Sequence, residues 1–140
     1  MAQVSTTASA FVQSIIPHPR STNAYVPYKT RTSFEERSLE SLRIRERFPG
    51  RIPIIVERSG RSIDVPLIDK NKFLAPGDLN VSQFIHVVRR RMQLSGETAL
   101  FLFVGNTLPT TGTLLRELYA TYGEPDGFLY MAYTGENTFG

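Results

Sequence analysis

A chain of 140 residues with 41% apolar and 11% aromatic side chains fills one domain and leaves little for a second. The absence of cysteine excludes disulfides, thiolate nucleophiles and cysteine-bearing zinc sites, and the two histidines, His18 and His86, do not read as a metal pair. The net charge of +3 lies in residues 1–33, which carry Arg20, Lys29 and Arg31 and no acid, while the rest balances 13 bases against 13 acids, unlike the domain-wide basic surplus of a nucleic-acid reader.

Residues 1–33 include ten Ser or Thr and three prolines, the composition of a disordered arm. A mitochondrial transit peptide is the rival reading, opposed by the late basic residues and by the prolines. A secretory signal would need a positive group before the apolar stretch Ala8–Ile16, and none is present. From residue 34 the pattern changes. Ser33-Phe-Glu-Glu36 has the form of a capping box, and Leu39, Leu42, Ile44 and Phe48 continue it as a helix until Pro49-Gly50. Residues 51–58 alternate and are β-branched, which predicts a strand, with a turn at Ser59-Gly60-Arg61 and a returning strand over 62–68. Pro53 and Pro66 point to sheet-edge or non-hydrogen-bonded positions.

Asn80 and Gln83 cap a second helix whose apolar residues Val81, Phe84, Ile85, Val88 and Met92 share one face. Residues 98–104 (TALFLFV) predict a buried strand turned back at Gly105-Asn106. A third helix is expected over 111–122 with Gly123 as its stop, then a last strand over 127–133 and a polar tail over 134–140. Helix, hairpin, helix, strand, helix, strand is the layout of an α+β β-grasp domain over residues 34–140.

No nucleotide loop, nucleophile elbow or metalloprotease motif occurs, so the residues predict no catalytic group, no metal and no cofactor. His86 reads as a packing or surface residue, Glu35 and Glu36 complement a helix dipole, and Arg89-Arg90-Arg91 reads as a solvated helix face. Residues 70–76, with Phe73 and Leu74 directly after two lysines, suit either a core or a peptide-accepting sheet edge, where Lys70, Lys72 and Arg51 would favour acidic partners. Gly140, at the end of a polar tail, has the unhindered carboxylate that an activating enzyme requires.

Five segments carry a resemblance: Arg-Ile-Pro-Ile-Ile-Val-Glu (51–57), Asp-Lys-x-Lys-Phe-Leu-x-Pro-x-Asp-Leu (69–79), Gln-Phe (83–84), Ala-Leu-Phe-Leu-Phe-Val-x-Asn (99–106) and Asp-Gly-Phe-Leu-Tyr-x-x-Tyr-x-Gly-Glu-Asn-Thr-Phe-Gly (126–140). In these, residues 34–140 resemble the autophagy ubiquitin-like modifiers, the family of the GABA-receptor-associated protein and its yeast counterpart. The resemblance implies a β-grasp fold with added N-terminal helices. It also implies conjugation of Gly140 to phosphatidylethanolamine by activating and conjugating enzymes, with a cysteine protease acting at the same glycine. Phe139, Phe101 and Phe103 would meet that machinery. By the same resemblance, Glu40, Ile44, Pro53, Lys72, Leu74 and Phe128 form a first pocket for the aromatic residue of an aromatic-x-x-aliphatic motif. Phe73, Ala75, Pro76, Leu79, Phe84 and Val87 form a second pocket for its aliphatic residue, and Arg51, Lys70 and Arg91 form a basic rim. Cargo receptors carrying such motifs, and a location moving from cytoplasm to autophagosome membrane, follow. A non-conjugated peptide-binding adaptor in vesicle trafficking is the alternative.

Three departures from the pattern stand out. Ala75 occupies a position where larger aliphatics are common, which would make the second pocket wider or shallower. The family's first short helix falls at 25–33, where Pro27 and Thr30–Ser33 argue against it. Residues 1–24 have no counterpart and no self-binding tetrad, since Phe11 is followed at the right spacing by Ser14.

Overall fold

The hydroxyl of Ser33 accepts from the Glu36 amide, and the Glu36 carboxylate accepts from the Ser33 amide, so the capping box opens a long helix as its sequence requires. In the computed structural model, which describes residues 25–60 and 65–135, that helix is the second element. The order is α1 (Tyr28–Arg31), α2 (Phe34–Arg47), β1 (Arg51–Arg58), β2 (Lys72–Pro76), α3 (Val81–Met92), β3 (Phe101–Phe103), α4 (Leu115–Tyr122) and β4 (Leu129–Thr134). The sheet runs β2-β1-β4-β3, with β1 and β4 parallel at its centre and antiparallel neighbours outside them. This mixed sheet covered by helices is the α+β architecture read from the sequence.

Side chains alternate across the sheet with a period of two. Ile52, Ile54 and Val56 share one face with Phe73, Ala75, Leu102, Leu129, Met131 and Tyr133, and this face packs on Val81, Phe84 and Val88 of α3 and Leu115 and Leu118 of α4. The opposite face presents Ile55, Leu74 and Phe128 to Tyr28 of α1 and Ile44 of α2. Two cores therefore lie on the two sides of one sheet.

Several boundaries differ from expectation. The strand returning against β1 is 72–76, not 62–68; residues 62–64 lie outside the described residues, and 65–71 run as an irregular connection. Pro66 would remove a ladder donor from the middle of the expected strand, whereas its carbonyl here accepts from the Tyr133 phenol at 2.6 Å. Pro53 lies in a central strand, not an edge. The Gly77 amide bonds the Gly50 carbonyl and the Val56 amide bonds the Asn71 carbonyl, which sets the alternation between them. By that alternation Pro53/Leu74 and Arg51/Pro76 are non-hydrogen-bonded pairs, so neither proline deprives the β1–β2 ladder of a bond.

β3 covers only three residues of the expected seven, and the third helix begins at Leu115, not Thr111. Residues 110–113 form a turn instead, with the Thr113 amide on the Thr110 carbonyl and their hydroxyls 2.7 Å apart. The last strand starts two residues later than expected, at Leu129, and runs to Thr134. Residues 25–33, read from composition as arm, pack on the body: the carbonyl of Pro27 accepts from the amides of Thr30 and Arg31, and Tyr28 is 1% exposed.

Candidate functional site

Among the described residues β2 has a bonded neighbour on one side only, β1, so it is an edge of the sheet they form. Phe73 and Ala75 face Ile54 and Ile52 in hydrogen-bonded pairs and point their backbone groups inward. Lys72 and Leu74, at the non-hydrogen-bonded positions, direct their amides and carbonyls outward, where an incoming strand would find them. Residues 70–76, expected to follow the second strand, thus supply it.

The residues of the expected first pocket meet on one side of this strand. Ile44 of α2, Leu74 of β2 and Phe128 belong to one buried cluster, and Pro53 stands opposite Leu74 in register. Glu40 and Lys72 form an ion pair at 2.6 Å over it, with side chains 37% and 22% exposed. The residues of the expected second pocket lie on the other side. Phe73 and Phe84 meet edge to face at 5.5 Å, Ala75 belongs to the same core, and Leu79 packs against it. Pro76 is half-buried at the end of the strand, and Val87 is 39% exposed on α3, one turn from Phe84.

The basic residues spread along the edge. Arg51 opens β1 opposite Pro76, and Lys70 precedes β2 at its other end, about 20 Å away at ~3.3 Å per residue. Arg91 of α3 sits 5.1 Å from the Phe73 ring centroid and donates to the Lys70 carbonyl at 3.4 Å. Burial lowers the pKa of its guanidinium, and Asp69 opposes that shift.

Phe101 and Phe103 lie on β3, the opposite edge of the sheet, on the face shared with Leu74. Phe101 is half-buried and Phe103 buried. Phe139 and Gly140 lie outside the described residues. Among the described residues no helix is long and apolar enough to cross a membrane, and no cluster of metal-ligating side chains occurs.

Sequence reasoning missed the groups that brace this edge. Tyr28 lies at the centre of the first cluster, edge to face with Phe128 at 5.7 Å, and its phenol donates to Glu40. Its signal was a pair of tyrosines, Tyr25 and Tyr28, in an otherwise Ser/Thr-rich arm, since disordered segments are poor in aromatics. Asp126, which opens the last of the family motifs, has no role in the sequence reading. It accepts from Arg37 at 2.8 Å, from the Phe128 amide at 2.9 Å and from the Tyr130 phenol. Arg37 also donates to the Thr32 carbonyl at 2.8 Å, tying α1, α2 and the loop before β4 together.

Comparison with known proteins identifies relatives of the chain. The family model described as "Autophagy protein Atg8 ubiquitin like" matches residues 36–140. Autophagy-related protein 8c of Arabidopsis thaliana is 56% identical over 113 residues, 81% of this chain and 94% of that protein. Autophagy-related protein 8 of Mycosarcoma maydis is 49% identical over 113 residues, 81% of this chain and 95% of that protein. The crystal structure of Trypanosoma brucei ATG8 superposes with a TM-score of 0.76 at 42% identity, covering 84% of this chain and all of that one.

Proposed function

This chain belongs to the Atg8 family of ubiquitin-like autophagy proteins, and on that premise we propose that it is a modifier conjugated through Gly140 to phosphatidylethanolamine, which then recruits cargo receptors to the autophagosome membrane from a cytoplasmic pool. One observation carries the recruiting half of this reading: the edge strand β2 separates two apolar clusters on opposite faces of the sheet. A peptide added to β2 as a fifth strand sends successive side chains to opposite faces. Residues three apart, an odd spacing, then point to opposite sides. An aromatic-x-x-aliphatic motif bonded to the outward groups of Lys72 and Leu74 would place its aromatic residue toward Ile44, Leu74 and Phe128. Its aliphatic residue would lie toward Phe73, Ala75, Leu79, Phe84 and Val87. Arg51, Lys70 and Arg91 favour acidic residues flanking the motif.

The chemistry of conjugation would belong to partners. Activating and conjugating enzymes would carry the carboxylate of Gly140 as a thioester on their own cysteines, a cysteine protease would process and release it, and Phe101, Phe103 and Phe139 would contribute to recognition. Two acyl chains, at about 0.8 kcal/mol per buried methylene, would give the domain a stable anchor.

The test supplies the activating and conjugating enzymes, ATP and phosphatidylethanolamine vesicles and looks by mass spectrometry for the lipid adduct on Gly140. The expected adduct disappears when Gly140 is deleted. An adduct that survives the deletion, or none at all, overturns the modifier reading; peptide binding without any adduct would identify the non-conjugated adaptor instead.

A further inference from the structure

The first cluster is shielded from solvent in this state. Ile55, Leu74, Phe128 and Tyr28 are each at most 2% exposed, and the Tyr28 ring packs edge to face on Phe128 in the cluster that Ile44 of α2 completes. Above them Glu40 holds two partners at once: one carboxylate oxygen accepts from the Tyr28 phenol, the other from the Lys72 ammonium at 2.6 Å. The ammonium lies 4.7 Å from the centroid of the Tyr28 ring, so the three side chains close on one another.

From this arrangement we infer that Tyr28 is a positioning residue of the edge groove: by fixing Glu40 it holds Lys72 across the first pocket, and α1 thereby sets how often that pocket stands open to an aromatic side chain. The inference rests on the proposed groove and adds a regulator to it. Lys72 has to leave Glu40 for an aromatic residue to enter. An acidic peptide supplies the replacement, since its carboxylate can take the ammonium as Glu40 loses it. Tyr28 acts against the exchange because its phenol keeps Glu40 oriented toward Lys72. α1 is itself held from below, where the Tyr28 amide and the Tyr25 phenol both donate to one oxygen of Glu57, at 2.8 and 2.7 Å. Whatever frees this attachment frees the pocket, and by linkage an occupied pocket loosens α1 by the same factor.

The apparent affinity of a groove that is only fractionally open falls by that fraction, so unlatching strengthens binding without any new contact. Tyr28→Phe removes the phenol bond and leaves the ring, its Phe128 contact and the amide bond to Glu57 in place. Glu40→Gln keeps the shape and removes the charge that holds Lys72. In the full-length chain, titrated with an acidic Trp-x-x-Leu peptide by calorimetry and stopped-flow fluorescence, each variant is expected to bind about three- to tenfold tighter. The gain should appear in the association rate, and the double variant should gain no more than the larger single change. If the wild-type chain fails to bind the peptide, the groove reading itself fails. If it binds and either folded variant binds equally or more weakly, the latch is overturned. Should Tyr28→Phe not fold, the association rate of Glu40→Gln decides.

Discussion

Gly127 has a φ of +93°, and a Cβ there would stand 2.2 Å from the hydroxyl of Ser41, a fully buried side chain of α2. Left-handed backbone and steric overlap act together, so Gly127→Ala is expected to destabilise the fold by about 2–5 kcal/mol. Urea unfolding should read this as a lower midpoint at unchanged slope; a loss below about 1 kcal/mol would show that α2 can move aside. Beside it, burial pushes the Asp126 carboxyl up in pKa, but hydrogen bonds from Tyr130, the Phe128 amide and Arg37, with the charge of Arg37, more than offset this and hold it below the usual carboxylate value. A depressed folded pKa contributes stability that is present above the unfolded value near 3.9 and is lost as pH falls through the folded one. Asp126→Asn should therefore cost stability at pH 7 and flatten the acid limb of the stability curve below about pH 4. A variant whose acid limb stays as steep as the wild type would exclude Asp126 as a source of that limb. Arg37→Ala, which leaves the 2%-exposed carboxylate without its cation, is expected to cost about 3 kcal/mol, read by the same urea titration.

At the scale of elements, the long helices and β1 were legible because their signals are local. Ser33 with Glu36 and Asn80 with Gln83 state two helix starts, and both capping boxes form. Strand β2 was displaced because pairing is decided across the chain: Pro66 and Pro76 look alike locally, and only the register with β1 makes Pro76 harmless and Pro66 not. Gly123 ends α4 as its sequence position suggests. Its φ is −58°, so no left-handed cap is involved, and glycine is needed there because a Cβ would meet the Tyr119 carbonyl at 2.6 Å. The candidate site was legible through family motifs, whereas α1 was not, because four residues behind a proline carry almost no helical pattern and their order comes from packing Tyr28. The same register makes a prediction about the edge. The amides of Phe73 and Ala75 are already bonded to β1, while those of Lys72 and Leu74 face outward. Binding an acidic Trp-x-x-Leu peptide should slow hydrogen exchange at Lys72 and Leu74 by about tenfold or more and leave Phe73 and Ala75 nearly unchanged. Protection spread evenly over 72–76, or absent, would count against strand addition.

At the scale of the whole molecule, the small net charge hides a strong polarity: residues 34–91 hold 12 bases and 8 acids, residues 92–140 one base and five acids. Long-range steering by so balanced a body is weak, so electrostatic selection has to act locally at the edge groove. Arg51 and Lys70 lie at opposite ends of β2, about 20 Å apart along the strand, which is about two and a half Debye lengths at physiological salt. In the proposed groove each end would then select a flanking carboxylate independently of the other. An acid-flanked Trp-x-x-Leu peptide should lose about tenfold in affinity between low and high salt, mainly through slower association, whereas an alanine-flanked peptide should lose less than about twofold. Arg51→Ala and Lys70→Ala should each remove part of that salt dependence, and their effects should add because the sites do not share a partner. Equal salt sensitivity of the two peptides would mean that the rim does not read the flanks. Specificity would then rest on the apolar clusters and the strand alone, and receptors would differ only in how well their aromatic and aliphatic residues fit. With the rim active, many weak, individually salt-sensitive contacts on the proposed lipid-anchored surface would combine into tight capture of a multivalent cargo, while a single receptor in solution would dissociate freely.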